Sequence, residues 1–297
     1  MSSPTRATIA RLTSLLVVLL AASPAGAQVD LAGEWTARQH EDQPHRGGGA
    51  ELGDYTGLPI NDAARLKADS WDASLLTLPE KQCLPHPAAY ADRGPMNMRV
   101  WNVVDPATQR VIAIMRRGSW MEPERTIWLD GRPHPPAHAP HTWQGFSTGQ
   151  WEGNRLTVTT THLKLGFIQR NGVAHSDRAT MREHFFRHGN YLSVATIVND
   201  PVYLSEPFIR TSSWTYNLQQ NHAPYPCGPN EIVVEIPRLR GELPHHLPGT
   251  NRMLAEFAGR HGLPFEATRG GAETTYPEYL DRLKVLISMP RAVARAR

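Results

Sequence analysis

The 297-residue chain carries 14 histidines, and three of them fall in one proline-rich stretch, Gly131-Arg132-Pro133-His134-Pro135-Pro136-Ala137-His138-Ala139-Pro140-His141. Proline fixes φ and lacks a backbone N–H, so this stretch is expected to be an extended loop and not a helix. Its H-x3-H-x2-H spacing offers His134, His138 and His141 to Zn²⁺ or Cu²⁺ if the loop folds around an ion. Otherwise the loop is solvated and its imidazoles bond to backbone. No bound cofactor is expected, with zinc or copper as the alternative.

A second candidate lies on Arg155 to Leu163, where polar and apolar residues alternate. Leu156, Val158, Thr160 and His162 share one face of a strand, and Arg155, Thr157, Thr159 and Thr161 share the other. If the apolar face turns inward, His162 becomes an imidazole in an apolar cavity, suited to acid/base work or to ligand hydrogen bonding, or else a structural core histidine. Glu183 shares parity with Met181 and Phe185, opposite to His184, and is therefore the inward carboxylate of its segment. His162 and Glu183 are the acid/base pair that a cofactor-independent lyase, isomerase or hydrolase would use. Arg132, His134, Trp143, Thr160, His162 and His175 are the candidate ligand contacts, and Arg132 is also a candidate ion partner for Glu183. The tryptophans of the central region suit a flat apolar ligand, although ordinary core packing uses them equally. Gly145-Phe146-Ser147-Thr148-Gly149 has the letters of a nucleophile elbow but lies between strands, without the helix that an elbow requires.

These residues need a sheet to hold them. Short runs rich in Val, Ile, Trp and Thr occur at Leu31 to Thr36, Arg99 to Val104, Arg110 to Arg116, Arg125 to Asp130, Trp143 to Trp151, Arg155 to Leu163, Thr180 to His188, Tyr191 to Asn199 and Phe208 to Asn217. Glu152-Gly153-Asn154 and Gly189-Asn190 are hairpin turns. The spacing predicts a mainly β chain, an antiparallel up-and-down barrel of about eight strands or a strongly curved sheet, with room for one small ligand. Asn61 caps a short helix, Asn251 caps another that Gly262 stops, and Tyr276 to Met289 forms a third. The division expected is a leader over 1–27, an N-terminal strand, loops and helix over 28–98, a barrel core over 99–217, and a loop with two helices packed on the barrel over 218–297.

Arg6 and Arg11 precede the apolar run Leu12 to Ala22, which ends in Ala25-Gly26-Ala27. That is the pattern of a secretory signal peptide, and its apolar run falls short of the roughly 20 residues of a spanning helix. A periplasmic or secreted protein without stable membrane insertion is expected, cleaved near Ala27. Cleavage removes two of 31 basic residues and none of 28 acids, leaving +1, with no basic stripe to hold nucleic acid. In an oxidising compartment Cys83 and Cys227, each within two residues of a proline, are expected to form a disulfide.

Asp130-Gly-Arg-Pro-His134, His141-Thr-Trp143, Gly145-x-Ser147-x-Gly149-x-Trp151-Glu152-Gly153 and Leu156-x-Val158-x-Thr160 together resemble a large uncharacterised family of exported bacterial proteins. The resemblance extends through His175-Ser176, Glu183 and Asp200-Pro201 to Trp214, and back to Cys83, about half of the chain beyond the leader. It implies a lipocalin-like barrel and supplies no reaction. Relatives often carry Phe-Asn where this chain has His162-Leu163, which singles out His162. The function expected is binding of a small hydrophobic or aromatic molecule in the barrel. A His162/Glu183 enzyme and a histidine-ligated metal protein are the alternatives.

Overall fold

The computed structural model describes residues 29–38, 50–92, 96–119, 121, 123–219, 227–228 and 244–288, with scattered positions between 232 and 242. The leader expected over 1–27 lies outside the described residues. Strands β1 (Gly33–Ala37), β2 (Met98–Val104), β3 (Val111–Gly118), β4 (Glu124–Trp128), β5 (Phe146–Glu152), β6 (Arg155–Thr161), β9 (Thr180–His188), β10 (Tyr191–Asn199) and β11 (Phe208–Tyr216) close into one barrel. Around the wall the order is β1-β11-β10-β9-β6-β5-β4-β3-β2, and β1 pairs with both β11 and β2. The first strand is thus a stave of the barrel, where the sequence suggested a strand packed on it. A small hairpin, β7 (Gly166–Phe167) with β8 (Ala174–His175), stands outside the wall.

Nine strands form the barrel instead of about eight, and one neighbour pair is parallel. Hairpins at Gly153 and Gly189, both with positive φ, join β5 to β6 and β9 to β10 as antiparallel neighbours. Between β4 and β5, however, only Ile127↔Ser147 and Trp128↔Thr148 pair, and they run parallel. Parallel neighbours need a long crossover. Residues 129–145, the histidine-bearing stretch, supply it.

Inside the barrel the side chains form layers. Trp35, Met98, Val100, Ile114, Ile127, Leu156, Val158, Phe185, Leu192, Val194 and Trp214 form one buried apolar cluster. The Trp35 indole donates to the Leu31 carbonyl at 3.0 Å and that of Trp214 to Met96 at 2.9 Å, so both rings are buried without an unsatisfied N–H. A second cluster plugs the barrel end formed by the start of β9 and β11 and the end of β10. Met181, Val198 and Phe208 meet Ile60, Ala64 and Ala68 of α1 (Asp62–Asp69), Ile60 standing just before that helix, and Ala88 and Ala89 of α2 (Ala88–Ala91) there. Small alanines let these short helices sit close to the strand ends. Fully burying each larger aliphatic side chain stabilises by about 1.5–3 kcal/mol.

Asn61 caps α1 by accepting from the Ala64 N–H, and Asn251 caps α3 (Arg252–His261) by accepting from Met253. Gly262, left-handed, ends α3 as the sequence indicated. Polar links from α3, α4 (Pro277–Ser288) and the turns between them run to the 50–71 segment: Asn251 Nδ2 to Asp69 O at 2.8 Å, Arg65 to Glu273 at 3.0 Å, and Gly57 N to Thr274 Oγ1 at 2.9 Å. The Cys83–Cys227 disulfide ties the chain after β11 to the loop before α2. No helix among the described residues is long and apolar enough to cross a membrane.

Candidate functional site

Between the two apolar layers lies a polar belt. Along β9, Glu183 sits between inward Met181 and Phe185; along β10, Thr196 sits between Val194 and Val198. Arg116 follows inward Ile114 on β3, and Arg125 precedes inward Ile127 on β4. Arg125 Nη2 donates to both Glu183 oxygens, at 2.8 and 2.6 Å. Arg116 reaches Glu183 at 3.5 Å and forks onto both oxygens of Asp92, one of them at 3.0 Å. All four side chains are buried. Burial alone would raise the Asp92 carboxyl, but the Arg116 guanidinium, helped by Arg125 and Arg210, holds it below its ordinary value.

The belt opens outward where β4 and β5 part. Beyond Ile127↔Ser147, Glu124 to Thr126 have no strand partner on the β5 side among the described residues, because Thr142 to Gly145 swing away to meet Leu163 and α2. The Trp143 carbonyl accepts from Ala88 N at 2.9 Å, and the Gln144 amide donates to His86 O at 2.7 Å. This leaves a cleft of about 460 Å³, walled by Met121, Pro123, Trp128, Trp143 and Phe146 and reaching in to Arg125 and Ser147. It falls in the range of small-molecule sites, roughly 300–1,000 Å³. Deeper, among Asp92, Met98, Arg116, Arg125 and Trp214, only about 10 Å³ remains, so the interior at the belt is filled and the accessible space is in the wall.

Glu183 and Thr160 point inward as the alternation indicated, and Thr160 bonds Ser147 at 2.8 Å. His162 does not. Strand β6 ends at Thr161, and His162 takes a positive φ of 58° that turns it off the inward face. Its ring lies outside, Nδ1 against Thr161 Oγ1 at 2.7 Å and Nε2 accepted by the Pro136 carbonyl at 3.0 Å. The pairing of His162 with Glu183 is therefore overturned, since one is outside the wall and the other sealed inside by two guanidiniums. Arg132 also lies outside, paired with Asp130 and stacked over Trp128; the partners of Glu183 are Arg125 and Arg116.

The loop histidines fasten the crossover to the outer wall. His134 bonds Thr161 Oγ1 at 2.7 Å through Nδ1 and Thr148 Oγ1 at 2.8 Å through Nε2, while His141 Nδ1 donates to Leu163 O at 2.8 Å. Burial, then the nearby His162, lowers the pKa of His134, in keeping with a neutral ring between two hydroxyls. His138 is exposed on the same loop. Among the described residues no group of three His, Cys, Asp or Glu side chains is arranged to hold a metal ion. His175 is fully buried in the plug, with Nδ1 on Ser176 O at 3.1 Å, away from the belt. Trp143 alone of the other candidates lines the cleft, with Lys164 5.5 Å from its ring centroid.

No protein-family profile and no curated protein matches the chain. Among solved structures it is similar to one described as the crystal structure of fluorescent protein UnaG wild type, at 10% identity and a TM-score of 0.28, over 63% of this chain and 97% of that one.

Reading the sequence for charge missed Arg116, Arg125 and Asp92. The signal was there for the two arginines: each stands two residues from an isoleucine, Ile114 and Ile127, on the inward parity of its strand.

Proposed function

We propose that this chain is an exported barrel protein that binds a small, flat, apolar molecule of aromatic character in the cleft between β4 and β5. The observation that carries the reading is the 460 Å³ opening, walled by Trp128, Trp143 and Phe146 where, among the described residues, the barrel wall is paired over only two residues. Aromatic walls favour a planar ligand through stacking and buried area. The disulfide supports export, because such bonds persist in oxidising compartments. Membership of the exported family that the Asp130 to Thr160 block resembles is part of the same proposal.

The test uses the neutral fluorophore N-phenyl-1-naphthylamine, whose emission rises in apolar surroundings. Saturable one-site binding is expected, weakened about tenfold by Phe146→Ala, equivalent to roughly 1.4 kcal/mol. Binding that does not saturate, or that is indifferent to both Phe146→Ala and Trp143→Ala, would remove the cleft from consideration.

A further inference from the structure

On the outer face of the barrel wall, strand alternation turns polar side chains of β5, β6 and β9 toward solvent. Thr148, Thr159 and Arg182 stand side by side across these three strands, and Gln150, Thr157 and His184 form the next row. Arg110, just before β3, and Gly131 and Arg132 of the crossover bound the far margin of a groove of about 980 Å³ over these rows. Arg132 stacks on Trp128 of the cleft, yet groove and cleft share no wall residue. Four guanidiniums and one carboxylate line the groove. Arg155 is paired with that carboxylate, Glu152, and Arg132 with Asp130 at 2.9 Å. Arg110 and Arg182 are exposed and, among the described residues, have no acidic partner. The excess positive charge is felt at His184, whose pKa is lowered by burial and then by Arg155 and Arg182, against Glu152. On the floor, Thr148 and Thr157 hold His134 and His184 at 2.8 and 3.1 Å, whereas Thr159 and Gln150 make no side-chain hydrogen bond among the described residues. The tryptophan of the groove, Trp151, packs against the inner apolar cluster and offers no outward aromatic face.

We propose that this outer groove binds an acidic oligosaccharide, a chain of hydroxyl-bearing sugar rings whose carboxylates meet Arg110 and Arg182 while its hydroxyls bond Gln150 and Thr159. Three features select that class. Charge comes first, because exposed guanidiniums without an acidic partner favour a carboxylate through charge-assisted hydrogen bonds. Span is the second. Staves β3, β4, β5, β6 and β9 are successive, so four inter-strand spacings of about 4.8 Å, roughly 19 Å along the wall, separate the strands at Arg110 and Arg182. A chain reaches both, and a single small anion does not. The third is the floor: a hydroxyl and a carboxamide each donate and accept, as sugar hydroxyls do. A nucleic acid strand would find no aromatic platform for its bases.

The experiment titrates the full chain with trigalacturonate by calorimetry at low salt, beside its methyl ester, which keeps the hydroxyls and lacks the charges. Saturable binding of the acid is expected, at least tenfold tighter than that of the ester. The same tenfold loss is expected in Arg110→Gln/Arg182→Gln, whose two sites are exposed, with circular dichroism confirming the fold. Equal binding of acid and ester would overturn the charge assignment. An oligothymidylate of equal charge that binds as tightly as trigalacturonate would overturn the sugar assignment and make the groove a general polyanion surface. Trigalacturonate that does not bind, or that binds the folded double variant undiminished, would overturn the site itself. Should the double variant not fold, Arg182→Gln alone supplies the comparison: at least a threefold loss is expected, and undiminished binding would contradict the proposal.

Discussion

Glu183 shows how much one buried residue can fix. Its two oxygens are held by Arg125, and Arg116 also reaches it, in an enclosed belt, so removing it strands the Arg125 guanidinium away from water, whereas Arg116 keeps Asp92. Glu183→Leu should therefore destabilise the fold by about 3–5 kcal/mol in urea denaturation; a change within about 0.5 kcal/mol would mean that the belt is solvated. Gly145 is fixed by sterics. It has a φ of 66°, and a Cβ there would stand 2.5 Å from Thr161 O and 2.7 Å from Thr160 Cγ2. Gly145→Ala should cost at least about 1–3 kcal/mol in the same assay, and an unperturbed midpoint would show that the segment can shift. Other residues of the 130–160 block have comparable structural roles. Gly149 leaves room for Ile127 and Leu129, Ser147 bonds Thr160, and His141 bonds Leu163 O. Alternation along β6 and β9 was enough to place Thr160 and Glu183 inside. It failed one residue past the strand, at His162, because alternation holds only while the backbone stays extended. Arg116 and Arg125 escaped notice because arginine reads as a solvated side chain, and only their parity with Ile114 and Ile127 says otherwise.

Two elements beyond the barrel staves decide where the site lies. The crossover 129–145 is the first, for it lets β4 and β5 be parallel neighbours with so short a ladder that the wall opens. Nothing in the local period of either strand tells which strand it will pair with, so the expectation of a simple meander did not foresee the cleft. Thr161→Val removes the hydroxyl that meets both His134 and His162. It should speed amide exchange across residues 134–141 while leaving β9 and β10 protected; unchanged exchange in the crossover would show that other contacts hold it. The second element is the plug, which carries two histidines that the fold keeps neutral. Burial, with the Arg170 charge, pushes His86 down to about 3, and burial lowers His175 against the opposing Ser176 carbonyl and Asp200. A histidine whose folded pKa lies below its unfolded value binds its proton more readily when unfolded, so stability rises with pH through that window. The contribution is fully present above the unfolded value near 6.5 and falls as pH drops toward 3. The urea midpoint should decline from pH 7.5 to pH 5, and His86→Phe should flatten the decline. A wild-type midpoint independent of pH over that range would contradict the burial of these rings.

For the whole molecule, one closed sheet holds a polar belt between two apolar layers, with a single bond, Cys83–Cys227, tying distant parts of the chain across 144 residues. In the chain-entropy description a loop of that length stabilises by about 5 kcal/mol. Reduction should lower the denaturation midpoint accordingly, and an unchanged midpoint would mean that the unfolded chain is already constrained. The barrel class, most strand positions, the three helices and the disulfide were legible because each depends on local pattern, capping or cysteine parity. The place where the barrel opens was not, because it depends on which strands meet. The opening between β4 and β5 is tested as the binding site most directly by a ¹⁵N–¹H titration of the full chain with N-phenyl-1-naphthylamine. Saturable shifts are expected at the amides of Arg125, Thr126, Gln144 and Gly145 and at the indoles of Trp128 and Trp143. Shifts confined to the outer His134, His141 and His162 group, or absent from the cleft at saturating ligand, would contradict that expectation.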